Sequence, residues 1–212
     1  MISLRSTPLH AASAPPQRPL CAHCLRPVSA CLCHWVTPTP SACEVLILQH
    51  PLEVAHAKNT ARLLHLSLPG SRLVVGETFD ATTLQALLPA DRTHVLLYPP
   101  TRSEGHAEPA VLDPAALTAP DRLRLVVLDA TWRKSRKMLH LSPGLQRLPR
   151  LALDEVPAGR YAIRKAHAPG QLSTLEATCA ALAQLERNTE RWQPLLAAFD
   201  AFVTGQMNYI QK

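Results

Sequence analysis

Glycine is scarce in this chain of 212 residues, which holds only 7 glycines, no two of them two positions apart. The G-x-G-x-x-G turn of dinucleotide-binding folds is therefore absent, and so is the G-x-x-x-x-G-K-[ST] loop of ATPases and GTPases. Long apolar runs are also missing, because stretches such as Leu123–Leu128 are far too short to cross a bilayer. With 47% hydrophobic and 18% charged residues, the composition excludes a disordered chain and predicts a soluble globular protein.

No export signal is apparent in the first twenty residues, which contain no continuous apolar stretch before a small-residue cleavage site. We therefore expect a cytoplasmic protein. Disulfides are rare in that compartment, so the 6 cysteines are expected to be metal ligands or free thiols. Cys43, at the start of an apolar strand, and Cys179, in a helix rich in Ala and Leu, are expected to be core thiols.

Short β-favouring runs alternate with helical segments along most of the chain. The predicted strands, each bounded by breaker residues, are Val45–Gln49, Arg72–Val75, His94–Tyr98, Leu123–Leu128 and Arg150–Leu153. Apolar residues at helical spacing predict helices over Leu52–Leu66, Ala81–Leu88, Thr131–Leu141, Ser173–Arg187 and Arg191–Met207. Because the strands are almost continuously apolar, the pattern predicts an α/β fold, a parallel sheet with helices on both faces.

Four cysteines lie within thirteen residues, in the order Cys21-x2-Cys24-x6-Cys31-x-Cys33. Four thiolates complete a tetrahedral shell around one zinc ion and leave no position open for catalysis. His23 or His34 could replace one thiolate. The segment boundaries predict a flexible tail at 1–20, a zinc-binding knob with its linker at 21–40, and an α/β domain at 41–212.

The positive charge of the chain is concentrated in one segment. The formal net charge is +6, and the window from Trp132 to His167 alone contains nine basic and two acidic residues. A localised basic surface favours a polyanionic partner, although a solvated helix face gives the same pattern.

Asp129 and Thr131 lie where the strand ending at Leu128 meets the basic helix. Ligands of parallel α/β sheets bind at such strand ends, where a carboxylate can accept or steer a proton. Asp and Thr are also ordinary helix caps, and Trp132 could belong to the core. Both interpretations remain open from the spacing alone.

Two further segments allow the same pair of interpretations. Ser173-x-x-Glu176 matches a capping box, yet it follows a long basic loop of the kind that closes over a ligand. His50 follows the first predicted strand and is a catalytic candidate, but a histidine there is more often a loop or cap residue.

Together these motifs resemble the DTW-domain family, which is named for an Asp-x-Thr-Trp motif, here Asp129-Ala130-Thr131-Trp132. That family also carries the N-terminal four-cysteine cluster. The other matching segments, in chain order, are His50-Pro51-x-Glu53, Asn59-Thr60, Tyr98-Pro99, Arg164-Lys165 and Leu172-Ser173-Thr174-x-Glu176-Ala177. Their shared order is much more specific than any one of them.

The resemblance implies a tRNA-uridine aminocarboxypropyltransferase. Such an enzyme transfers the 3-amino-3-carboxypropyl group of S-adenosylmethionine to N3 of a tRNA uridine and releases methylthioadenosine. The resemblance also implies a trefoil-knotted, SPOUT-like catalytic domain at 41–212, with tRNA and not a membrane as partner. An S-adenosylmethionine-dependent RNA methyltransferase and a non-catalytic zinc-bearing RNA-binding module are the alternatives.

This chemistry gives each motif an expected role. Asp129 is expected to accept or steer the N3 proton of uridine. The residues expected at the cofactor are Tyr98, Pro99, Asp129, Thr131, Trp132, Leu172, Ser173, Thr174 and Glu176. The residues expected to contact tRNA phosphates are Arg133, Lys134, Arg136, Lys137, Arg164 and Lys165.

Overall fold

A computed structural model describes residues 19–56, 59–100, 107–154 and 172–210, with only the backbone described for 207–210. Within these ranges one sheet of five parallel strands has the order β2-β1-β4-β3-β5. The strands are β1 (Glu44–Gln49), β2 (Arg72–Val75), β3 (Thr93–Leu97), β4 (Leu123–Asp129) and β5 (Arg150–Leu151). All five predicted strands are confirmed.

The α-helices of the same ranges are α1 (Ala61–Ser67), α2 (Ala81–Leu87), α3 (Trp132–Leu141), α4 (Pro143–Gln146), α5 (Thr174–Glu186) and α6 (Gln193–Ile210). None of the helices in these ranges is long and apolar enough to cross a membrane. The predicted helix over Leu52–Leu66 is wrong in its first half. His50 instead caps a short 3-10 helix at Pro51–Glu53, its Nδ1 accepting from the backbone N–H of Leu52 at 3.1 Å.

The helix that follows begins at a separate start signal. The Oδ1 atom of Asn59 accepts from the backbone N–H groups of Ala61, at 3.0 Å, and Arg62, at 3.4 Å. These are orphan donors of the first turn of α1, so the asparagine satisfies them as a cap would. The apolar spacing that suggested one long helix therefore spans a 3-10 turn and a second, shorter helix.

Helices cover both faces of the sheet, as the continuous apolar strands predicted. Ile47 and Leu125 point to a core shared with α1, α5 and α6, while Leu46 and Val126 point to a second core shared with α2, α3 and α4. Successive residues of a strand face opposite sides. A strand with helices on both sides therefore needs apolar residues at nearly every position.

The strand order places a topological switch point between β1 and β4. These strands pair directly, with Gln49 beside Asp129 at their carboxyl ends. The chain leaves β1 through α1 towards β2 at one edge of the sheet, and leaves β4 through α3 and α4 towards β5 at the other. Adjacent strands whose connections diverge in this way open the crevice in which α/β folds bind ligands.

The cysteine-rich knob shares a core with the helical layer. Cys24 and Leu32 are buried in it, and the Trp35 ring meets the Phe202 ring of α6 edge-on at 5.3 Å. Gly205 allows this approach, because a Cβ there would lie 2.8 Å from the Trp35 ring. Of the predicted tail, residues 1–18 lie outside the described ranges, and Leu20 pairs with Pro27 of the knob.

The two remaining cysteines are core thiols, as expected. Cys43 and Cys179 are each 1% exposed. Burial raises the pKa of both thiols to about 12, so neither is a thiolate near neutral pH.

Candidate functional site

Asp129 is the centre of a buried hydrogen-bond network at the carboxyl end of β4. Its side chain is 4% exposed. The Oδ2 atom accepts from Nε2 of Gln49 at 2.9 Å and from Nδ2 of Asn59 at 2.6 Å, and Oδ1 accepts from Oγ1 of Thr174 at 2.7 Å. The carboxylate thus ties together β1, the loop before α1 and the first turn of α5.

The network has its own internal links. Nε2 of Gln49 also donates to Oδ1 of Asn59 at 3.3 Å, and the backbone N–H of Leu175 donates to Oγ1 of Thr60 at 3.4 Å. Gln49, Asn59 and Thr60 are all buried. Their side chains therefore hold the α1 and α5 starts against the sheet as one unit.

The geometry leaves Asp129 able to receive one more hydrogen bond. A carboxylate offers about four lone-pair sites on its two oxygens, and the described residues fill three of them. Among the described residues Oδ1 has one donor and Oδ2 has two, so the lone pair that they leave open is on Oδ1. The three donors fix the orientation of the carboxylate. Oδ1 can therefore accept a hydrogen bond from a ligand while the three hydrogen bonds of the network stay in place.

Helix caps account for three of the predicted cofactor residues. Thr131 is the N-cap of α3. Ser173 and Glu176 form a complete capping box at the start of α5, with the Ser173 N–H donating to Oε2 of Glu176 at 2.8 Å and the Glu176 N–H donating to Oγ of Ser173 at 3.2 Å. The capping interpretation of these residues is correct, and the caps position Asp129 and Thr174 at the ends of their elements.

Tyr98 and Trp132 form an aromatic pair at the same edge of the sheet. Tyr98 is 9% exposed, whereas Trp132 is 53% exposed, so the interpretation of Trp132 as a core residue is wrong. Their ring centroids are 5.6 Å apart at 69°. The Arg150 guanidinium lies 5.4 Å from the centroid of the Tyr98 ring, in cation–π geometry.

Two lysines of the basic helix are bound to acidic side chains. Nζ of Lys134 is 2.8 Å from Oε1 of the buried Glu53, and Nζ of Lys137 is 2.9 Å from Oε1 of Glu77. Glu77 also contacts Nε2 of His50 at 3.1 Å. Hydrogen bonds from Lys137 and then from His50 lower the pKa of the Glu77 carboxyl.

The outward side of α3 keeps its positive charge. Arg133 and Arg136 are exposed, and among the described residues neither has an ion-pair or hydrogen-bonding partner. The predicted contacts Arg164 and Lys165 lie outside the described residues. Among the described residues of α3, the unpaired cations are therefore Arg133 and Arg136.

The four cysteines of the knob converge as a zinc site requires. All four Sγ atoms lie within 4.8 Å of one another, and the Sγ atoms of Cys21 and Cys33, like those of Cys24 and Cys31, are 3.7 Å apart. A tetrahedral zinc site with Zn–S bonds near 2.3 Å has sulfur–sulfur edges of roughly 3.8 Å. Four sulfur donors at these distances fit one zinc ion with no open position.

Comparison with known proteins follows the same motifs. The family model described as the DTW domain matches residues 18–207. The chain belongs to the DTW domain family. The Asp129 network, the capped start of α5 and the four-cysteine knob all lie within the matched residues.

Curated relatives of this DTW chain cover most of its length. A tRNA-uridine aminocarboxypropyltransferase 2 from Drosophila melanogaster is 34% identical over 205 residues, which cover 93% of this chain and 78% of the relative. A tRNA-uridine aminocarboxypropyltransferase A from Arabidopsis thaliana is 31% identical over 228 residues, covering 92% and 83%. The Mus musculus tRNA-uridine aminocarboxypropyltransferase 2 is 29% identical over 200 residues, covering 91% and 65%. No solved structure matches the chain.

The site residues predicted from the sequence of this DTW chain did not include all of the residues in the site. Gln49 and Asn59 were not among the predicted site residues, yet both donate to Asp129. Gln49 carries a usable signal, since it is a polar residue closing an apolar strand. Arg150 carries none, because its place beside Tyr98 depends on the pairing of β5 with β3.

Proposed function

We propose that this DTW protein is a tRNA-uridine aminocarboxypropyltransferase. It would transfer the 3-amino-3-carboxypropyl group of S-adenosylmethionine to N3 of a tRNA uridine and release methylthioadenosine. The observation that carries the proposal is the buried Asp129 network, which joins the Asn-Thr, DTW and Leu-Ser-Thr motifs at a strand end suited to ligands. The names of the relatives from fly, plant and mouse support the same activity.

The proposed reaction is a substitution at the first carbon of the amino acid arm. The N3 atom of uridine forms a bond to that carbon, the bond from the carbon to sulfur breaks, and the sulfonium becomes a neutral thioether. The same sulfonium also activates its methyl carbon, so the carbon that faces N3 decides which group moves. The protein's task is therefore orientation of donor and base.

Asp129 is proposed to receive the N3 proton. A protonated imide is a poor nucleophile, and a positioned carboxylate can accept or steer its proton as the new bond forms. The open lone pair on Oδ1 lies beside Oγ1 of Thr174, which holds that oxygen in place. Thr174 is thus proposed to orient the base as well as to line the donor site.

The other proposed contacts with the donor lie after β3 and β4 or before α5 in the chain. Tyr98 and Pro99 follow β3, Thr131 and Trp132 follow β4, and Leu172 precedes the α5 cap. The Ser173 hydroxyl and the Glu176 carboxylate accept backbone hydrogen bonds in the capping box, so we propose that they shape the donor site by fixing the first turn of α5.

The proposal assigns zinc to the knob and tRNA to the basic helix. Zinc bound by Cys21, Cys24, Cys31 and Cys33 would be structural, because four thiolates leave it no exchangeable position. The family resemblance supports a SPOUT-like knotted topology for the catalytic domain, and the proposed location is the cytoplasm, where disulfides are rare.

Product analysis tests the proposed activity. Purified protein is incubated with S-adenosylmethionine and unmodified tRNA, and both the released nucleoside and the digested tRNA are analysed by mass spectrometry. Methylthioadenosine together with an aminocarboxypropyl-uridine supports the proposal. Release of S-adenosylhomocysteine with a methylated base would establish a methyltransferase instead, and binding of tRNA without either product would favour the RNA-binding module.

The helix α3 offers a matched pair of variants for its proposed contact with tRNA phosphates. Replacing Arg133 and Arg136 with Ala should weaken tRNA binding and reduce the slope of log affinity against log salt by about one to two, since each phosphate contact contributes nearly one unit. Lys134→Ala should change that slope less, because its ammonium already pairs with Glu53.

The same two variants are expected to differ in stability in the opposite order, with Lys134→Ala the more destabilised. Loss of Lys134 leaves the buried Glu53 carboxylate without its partner, which should lower the free energy of unfolding by about 1–3 kcal/mol. Replacing the two arginines, which are exposed, should change the free energy of unfolding little. If the arginine variant and Lys134→Ala change the salt slope equally, then being free of an ion pair does not decide which α3 cations contact phosphates.

A further inference from the structure

An exposed indole follows Asp129 closely in the chain, at the start of α3. Trp132 begins α3 three residues after Asp129, and 53% of its surface is exposed, although tryptophan is highly buried on average. We propose that Trp132 is the platform on which a base of single-stranded RNA, the target uridine, stacks. This rests on the proposed function and reassigns Trp132 from the donor site to the RNA.

The Trp132 indole is held in place by Tyr98, which is itself packed against Arg150. The Tyr98 and Trp132 rings meet edge to face, and the Arg150 guanidinium covers Tyr98. That guanidinium is itself fixed, donating to the backbone carbonyls of Gln146 at 3.2 Å and Leu145 at 3.5 Å. A side chain ordered before the ligand arrives loses little conformational entropy on binding.

Exposed apolar side chains lie on the segment that is ion-paired to α3. The ion pair between Glu53 and Lys134 fastens the segment after β1 to the first turn of α3. That segment carries Leu52, 70% exposed, and Val54, 46% exposed. This segment and the first turn of α3 thus present exposed apolar side chains and one aromatic face, which suits the π-face of a nucleobase.

Cations follow the indole at the spacing of a nucleotide. Arg136 is four residues after Trp132, on the same side of α3, where such side chains have Cβ atoms about 5–6 Å apart. This is roughly the separation of a base from its own phosphate. Arg133 is exposed on the adjoining face. A base on Trp132 would therefore place its backbone along these arginines, which have no partner among the described residues.

The same features argue against the donor as the occupant. S-adenosylmethionine has no phosphate for the two arginines; its one anionic group is a carboxylate, which could pair with only one of them, and its sulfonium and ammonium are cations. Small-molecule sites also bury most of their ligand, whereas Trp132 is open to solvent. An extruded base of a polymer, by contrast, reaches the site from solvent with its backbone remaining outside.

Tryptophan fluorescence tests the assignment without turnover. The protein has three tryptophans, of which Trp192 is 1% exposed and Trp35 packs on α6. A short uridine-rich oligonucleotide, added without S-adenosylmethionine, should quench the wild type and the Trp35→Phe control. The quench should disappear in Trp132→Phe, whose ring still stacks and whose affinity should stay within about threefold by anisotropy.

Trp132→Leu completes the test, because it removes the aromatic face from an exposed position. Affinity for the oligonucleotide should fall roughly 5- to 150-fold, while the dissociation constant for S-adenosylmethionine should change less than about twofold. Unchanged RNA affinity in Trp132→Leu, or quenching of Trp132 by methylthioadenosine and not by RNA, would overturn the assignment. If the wild type forms no modified uridine yet shows the quench, the activity fails and the RNA platform stands.

Discussion

Asp129→Asn is expected to lower turnover by roughly two to four orders of magnitude, the usual worth of general base catalysis. The substitution preserves side-chain shape and removes the charge that makes Oδ1 a proton acceptor. The measurement is single-turnover transfer to tRNA at saturating S-adenosylmethionine, followed by mass spectrometry of the modified uridine.

The surrounding hydrogen bonds allow the substituted side chain to remain in place. Its amide oxygen can still accept from Gln49 and Asn59, while its amide nitrogen turns towards Thr174, whose hydroxyl can accept as well as donate. We therefore expect a loss of stability of about 1–3 kcal/mol, the range for weakening a buried network. Melting temperature and donor affinity are measured on the same samples.

Thr174→Val is the matched control for the Asp129 variant. It removes one hydrogen bond to the carboxylate, from the Thr174 hydroxyl, and leaves the charge. A smaller loss of turnover, about tenfold, is expected if the charge itself accepts the proton. Near wild-type turnover in Asp129→Asn would show that Asp129 only holds chain segments together. The N3 proton would then have to pass to solvent.

Cys24→Ser is expected to release zinc and to lower the melting temperature by about 10 °C. A structural zinc contributes its binding free energy to folding, and a domain of this size loses roughly 2–4 °C for each kcal/mol. Elemental analysis before and after purification reports the metal, and calorimetry reports the stability.

Cys179→Ser controls for the cost of a buried hydroxyl. Cys24 and Cys179 are both 1% exposed, so the two substitutions differ mainly in the three neighbouring thiols of the knob. The control should keep one zinc per chain and show a smaller fall in melting temperature. Wild-type protein that carries far less than one zinc, with no further change in Cys24→Ser, would refute the zinc site.

Local patterns in the sequence were enough to predict the strands and most of the helices. The continuous apolar character of Leu123–Leu128 predicted a strand between two helical layers, and the structure has β4 there. The spacing of Ser173 and Glu176 predicted a capped helix, and the reciprocal hydrogen bonds are present. These features depend on neighbours within a few residues, so a pattern of residue types determines them.

Contacts between distant segments were not visible in such patterns. Asn59 reaches Asp129 across 70 residues and Lys134 reaches Glu53 across 81, and no spacing rule links residues so far apart. The charge of α3 illustrates this, since counting basic residues could not show that Lys134 pairs with Glu53. The exposure of Trp132 likewise depends on the fold, which places the first turn of α3 after the carboxyl end of β4.

The position of β4 between β1 and β3 also has a consequence for how the protein forms during synthesis. β1 and β2 can pair early, but the inner edge of β1 stays bare until β4 emerges some 80 residues later, as the separation of Glu44 from Arg124 shows. An uncovered apolar edge invites pairing with another chain. The nascent chain is therefore most exposed to aggregation just before its central strand is made.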